Sequence, residues 1–216
     1  MIAPSRKQRE LALRQEIIFT AAEAVLAARG FHGTSVDEIA RRAEVSVGTL
    51  YNLFGSKESL YTALLESRME DLRTGIRQHG AAAATGLEKL HGVVDAIFAY
   101  CAEHERGFRV YVTASHGLEW NVLPQFGQRV FDCMQAFLND VTALCRMAVR
   151  ERSLPRLEPK FLAMSLLGTI DSFVTQWATE GGDNLGAYRQ GAHAILRALS
   201  SAAPRGRAVP VRRLPA

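Results

Sequence analysis

The stretch from Thr34 to Glu58, TSVDEIARRAEVSVGTLYNLFGSKE, constrains the fold most, because it fits two short helices around a tight turn. Ser35 and Glu38 read as a capping box, with hydroxyl and carboxylate satisfying orphan amides at a helix start. Val36, Ile39, Ala40 and Ala43 recur at helical spacing and give the first helix one apolar face. After a break at Glu44-Val45, Ser46 is placed to cap a second helix carrying Val47, Leu50, Tyr51 and Phe54 on its inner side. Such a pair serves either as a DNA reader whose second helix enters the major groove or as a plain hairpin within a bundle. Spacing alone leaves both open.

Periodic segments elsewhere are helical, and no alternating run suggests a strand or an internal repeat. A first helix is expected over 8–29, burying Ile17, Ile18, Ala21, Val25 and Ala28. A fourth starts after Ser56 and runs toward His79. Gly80 to Gly86 reads as a loop, with Thr85 capping a helix that reaches about Glu103. Further helices are expected near Arg106–Trp120, Phe126–Glu151, Glu158–Thr179 and Leu185–Ser201, about nine in all. The fold class is therefore all-α: a helical domain over 12–72, to which the resemblance given below assigns DNA binding, a larger helical domain over 73–203, and a basic disordered tail over 204–216.

The chain carries 26 basic and 22 acidic residues, a formal +4. Arg205, Arg207, Arg212 and Arg213 lie in that acid-free tail, so the body before it holds 22 of each sign. Attraction to DNA must then come from placement: Arg6, Lys7 and Arg9 around the start of the first helix, Arg41 and Arg42 on the second, and Lys57 on the fourth. Cys101, Cys133 and Cys145 are scattered without a CxxC pair, as in the core of a reduced, cytoplasmic protein. No apolar run approaches the roughly 18 residues of a membrane span, and the charged first residues do not resemble a secretory leader. His104 and His116 with nearby Glu103, Glu105 and Glu119 lack metal-ligand spacing, and Ser115-His116 with Asp171 makes a poor hydrolytic triad. No catalytic residue, metal or cofactor is expected.

The pattern IAxxAxVSxGTLYxxF followed by SKExL resembles the DNA-binding region of the TetR family of bacterial transcriptional regulators. It is written here as Ile39-Ala40, Ala43, Val45-Ser46, Gly48-Thr49-Leu50-Tyr51, Phe54 and Ser56-Lys57-Glu58. Ile17-Ile18-Phe19, Ala21-Ala22 and Arg29-Gly30-Phe31 match the family's first helix and the turn after it. Glu44 departs from the pattern, which often has glycine or asparagine there; a left-handed backbone would suit glycine better.

From the residues themselves, Val47, Gly48, Thr49 and Asn52 lie near the outer face and N-terminal end of the second short helix, where base edges are read. The resemblance implies DNA contacts from Ser46, Gly48, Thr49 and Tyr51, with Tyr51 and Lys57 on phosphates; Thr34 completes the expected set. It also implies a homodimer on a near-palindromic operator and release by a small apolar or amphipathic effector. Phe98, Tyr111, Trp120, Phe131, Phe173 and Trp177 are candidates for the effector pocket. The Glu158–Thr179 segment is too apolar for one stripe and should be buried on two sides, with Gly168, Ser172, Leu196 and Leu199 as dimer-interface candidates. Two competing readings are an all-helical enzyme with a vestigial helix-turn-helix, and a ligand-independent structural DNA binder.

Overall fold

In a computed structural model, residues 5–105, 127–180 and 183–203 are described. Eight helices occur among them: α1 (Arg6–Gly33), α2 (Val36–Arg42), α3 (Val47–Phe54), α4 (Lys57–His79), α5 (Gly86–Glu103), α6 (Gly127–Arg150), α7 (Pro159–Glu180) and α8 (Leu185–Ser201). No strand is found among the described residues. The helix expected near Arg106–Trp120 and the tail over 204–216 lie outside them. The chain divides into two compact units, and the division passes through α4 between Ser67 and Arg68.

The first unit is built on α1–α3 and the start of α4. Its core takes Ile18, Ala22 and Val25 from α1, Ile39 and Ala40 from α2, Leu50 from α3, and Leu60, Tyr61 and Leu64 from α4. Two expected core positions are corrected: Ile17 is 47% exposed and Ala28 is also exposed. The buried stripe is centred on Ile18, Ala22 and Val25, and Ile17 sits about 100° away from it. Phe19 is drawn in from the stripe's other edge by a tilted ring contact with Phe54, centroids 5.8 Å apart. Helix α1 also continues through Gly30, where a turn was expected, as far as Gly33.

In the second unit, α5, α7 and α8 pack against one another. Leu90, Val93, Val94 and Phe98 of α5 meet a core shared with Leu166, Ile170, Val174 and Trp177 of α7 and Leu196 of α8. Thr85 caps α5 with a full capping box: its hydroxyl accepts from the Glu88 amide at 3.2 Å, and the Glu88 carboxylate accepts from the Thr85 amide at 3.0 Å. Gly86 is required by close approach. A Cβ there would lie 2.5 Å from the backbone nitrogen of Ala148 on α6. Arg73 of α4 pairs with Asp140 of α6 at 2.8 Å.

Candidate nucleic-acid interface

Ser46 starts α3 as expected, its Oγ accepting from the Thr49 amide at 3.0 Å and lying 2.8 Å from Thr49 Oγ1. The hydroxyl pair fixes the first turn of the helix and half-buries Thr49. The inner side is apolar: Leu50 is buried, and Val47, Leu53 and Phe54 pack against the core. Tyr51 does not belong to that side. It is 51% exposed, because it falls about 100° round the helix from Leu50. Ser46, Gly48, Tyr51 and Asn52 therefore form the outward face.

Gly48 is informative because nothing inside the fold demands it. A Cβ at that position would meet only Ser46 Oγ, at an ordinary 3.7 Å. The backbone at α3's first turn is thus bare toward solvent, and a flat partner can approach it closely.

The turn before α3 runs through Glu44 with φ of 54°, the left-handed conformation anticipated at this position. It is closed by Val45 N donating to Ala40 O at 3.0 Å. The expected capping box at α2 does not form. Ser35 Oγ turns to Asp37 at 3.3 Å, and Glu38 instead pairs with Arg29 of α1 at 3.0 Å. A guanidinium outcompetes a backbone amide for that carboxylate.

Two expected DNA contacts are placed differently from the rest. Thr34 is buried, its side chain hydrogen-bonded to Tyr61, so it supports the domain from within. Burial pushes the Tyr61 phenol above its usual range, with the Thr34 hydrogen bond partly opposing this. Lys57 is half-buried and donates to Thr34 O at 3.3 Å, clamping the start of α4 to the α1–α2 turn. Arg41 and Arg42, at the end of α2, are exposed cations beside the motif.

In the second unit the pocket and interface candidates also separate. Phe98 and Trp177 are buried in the core, whereas Phe131 is 51% exposed. Phe173 is half-buried against Gly191 and the Tyr188 ring of α8. Tyr111 and Trp120 lie outside the described residues. Gly168 and Ser172 face outward on α7, and Leu199 is half-buried. Leu196 is a correction: at 1% exposure it belongs to its own protomer's core, where it packs under α5 and α7.

A polar cluster between α5 and α8 was not legible in the sequence. His91 Nδ1 and His193 Nδ1 are 2.7 Å apart, and His193 Nε2 lies 2.9 Å from Asp95 Oδ1. Because the carboxylate only accepts, His193 Nε2 carries a proton, and one further proton is shared across the two Nδ1 atoms. Partners so far apart in the chain leave no spacing signal. Burial holds His91 below the ordinary imidazole range, His193 and Arg197 add to this, and Asp95 opposes it. Cys101 and Cys145 are buried, which pushes their thiols up to about 12 and about 11 and leaves them inert as nucleophiles.

A helix-turn-helix with a packed inner side and a bare, polar outer side defines a DNA-binding transcriptional regulator. Residues 18–64 match the family model described as bacterial regulatory proteins, tetR family. This part of the chain is a DNA-binding domain of the TetR family. It is 28% identical over 160 residues to the HTH-type transcriptional activator FasR of Mycolicibacterium smegmatis, covering 74% of this chain and 70% of that protein. It is 26% identical over 162 residues to the fatty acid metabolism regulator protein of Bacillus subtilis, covering 74% and 81%. The fold is similar to that of the transcriptional regulator FadR from Bacillus subtilis solved with stearoyl-CoA, with a TM-score of 0.74 at 23% identity over 86% of this chain and 97% of that one. None of the described helices is long and apolar enough to cross a membrane.

Proposed function

We propose that this regulator acts in the cytoplasm as a homodimeric repressor, binding a near-palindromic operator and released by a long-chain acyl thioester of coenzyme A. The observation that carries the DNA reading is the outward set Ser46, Gly48, Tyr51 and Asn52 on a helix held from behind by Leu50 and Phe54. Val47, half-buried, supports that turn, and Lys57 stands at the following helix start, where a phosphate has free amides to approach. The effector class is supported by a relative named a fatty acid metabolism regulator protein, and by the stearoyl-CoA held by a protein of the same fold.

Dimerisation is supported by a second stripe on α7. Phe161 and Met164, 60% and 52% exposed, run on into exposed Ser165, Gly168 and Ser172, opposite the buried Leu166–Ile170–Val174 stripe. An apolar stripe with small residues at its centre permits close approach of a second helix, and two copies would set their recognition helices about one DNA turn apart. The effector acts by linkage: it releases the operator only to the extent that it binds the DNA-incompetent arrangement more tightly. The chain does this without catalysing a reaction.

Selection of bound duplexes from random DNA should recover a two-fold motif, and stearoyl-CoA should weaken the resulting gel shift while the free acid and coenzyme A do not. A single asymmetric half-site would overturn the dimeric reading. An undiminished shift at saturating stearoyl-CoA would overturn the effector, and favour ligand-independent binding.

A further inference from the structure

The corner joining α6 to α7 encloses an open cleft of about 490 Å³ lined by Val149, Arg150, Arg152, Arg156, Leu157 and Glu158. Three arginines and one glutamate thus line it. Among the described residues none of the three arginines has an ion-pair partner. Glu151, the acid between them in sequence, is diverted: its carboxylate accepts from the Gly86 amide at 2.8 Å, at the N-terminus of α5. The positive end of that helix holds the charge that would otherwise neutralise the corner.

The cleft is also pre-shaped. Arg152 has φ of 61°, in the left-handed region that a residue ending a helix often adopts. It is kept there by three bonds to one carbonyl: Ser153 N at 2.9 Å, Ser153 Oγ at 3.1 Å and Leu154 N at 3.3 Å all donate to Ala148 O. Leu154 anchors the turn in the core at 2% exposure. These bonds form the left-handed cap that ends α6, and they fix the turn with its arginines exposed and the neighbouring acid turned away.

We infer that this cleft is a binding site for a small molecule carrying two or more phosphate groups. Guanidinium forks match phosphate oxygens in pairs, which is why three of them suit a bisphosphate better than a carboxylate. The volume lies in the range of small-molecule sites, and Val149 with exposed Leu157 offers an apolar wall for a base. The site needs no acyl chain and stands independently of the effector proposed above.

Isothermal titration of the full-length protein at low salt tests this with two probes, pyrophosphate and adenosine 3′,5′-bisphosphate. Tighter binding of the bisphosphate identifies a nucleotide carrier; equal binding identifies the phosphates alone as the determinant. Arg152→Gln with Arg156→Gln should weaken the bound probe by more than tenfold without lowering the thermal midpoint, and Glu158→Gln should tighten it severalfold. Absence of heat with both probes would overturn the site. So would equal affinity in the double variant, or a loss confined to duplex DNA.

Discussion

Gly48→Ala separates a role in folding from a role in recognition. The added Cβ meets only Ser46 Oγ, at 3.7 Å, so the domain accommodates it without moving backbone. Alanine is a better helix former than glycine by at most about 1 kcal/mol, and less in a first turn. The thermal midpoint should therefore hold or rise by a few degrees at most. The same methyl projects from the exposed start of α3, into the space a duplex must occupy for backbone contact. A disrupted base contact costs about 1–3 kcal/mol, so operator affinity should fall roughly 5- to 150-fold per half-site. The assay is fluorescence anisotropy with a selected operator at fixed salt, run beside a melting curve. Unchanged affinity with an unchanged melt would refute the assignment of this face to DNA. A lower midpoint would refute the packing on which it rests.

Tyr51→Ala should reduce operator affinity about fivefold or more in the same assay, with the dimer intact by light scattering. Gly86→Ala, which drives a Cβ to 2.5 Å from Ala148 N, should cost about 1–3 kcal/mol and lower the midpoint, whereas unhindered Gly186→Ala should not; matching midpoints would contradict the close packing of α5 on α6. Gly168→Glu should yield monomers by light scattering while the helical signal in circular dichroism is retained. Because His91 is held below its ordinary range, the unfolded chain takes up that proton more readily than the folded one. Its contribution to stability is then full above about pH 6.5 and is lost as pH falls through the lower folded value, and His91→Gln should flatten the midpoint-against-pH curve there.

Features governed by neighbours in sequence were legible. The bounds of α4 and α8, the Ser46 and Thr85 caps, and the left-handed Glu44 all follow from local backbone chemistry, and the structure holds them as expected. The errors arose where a distant residue competed. Glu38 was lost to Arg29 and Thr34 was drawn under Tyr61; His91, on which no expectation rested, found a partner on α8 that no spacing could indicate. Tyr51 went wrong for a different reason: an aromatic beside an apolar stripe reads as core, although the stripe was already complete with Leu50, Val47 and Phe54.

The glycines show how the same residue type carries opposite meanings. Gly86 is explained from inside, since backbone of α6 occupies the space its side chain would need. Gly48 and Gly168 have no such reason: around one only a hydroxyl is near, and around the other nothing lies within 4 Å. An open glycine alone is no signal, because Gly186 is equally unhindered. What sets the other two apart is their setting. Gly48 opens a polar face on a helix pinned from behind, and Gly168 sits on a stripe continued by exposed Phe161 and Met164. A missing side chain at the centre of such a face is what the proposed function would account for, by duplex against the first and a second copy of α7 against the other.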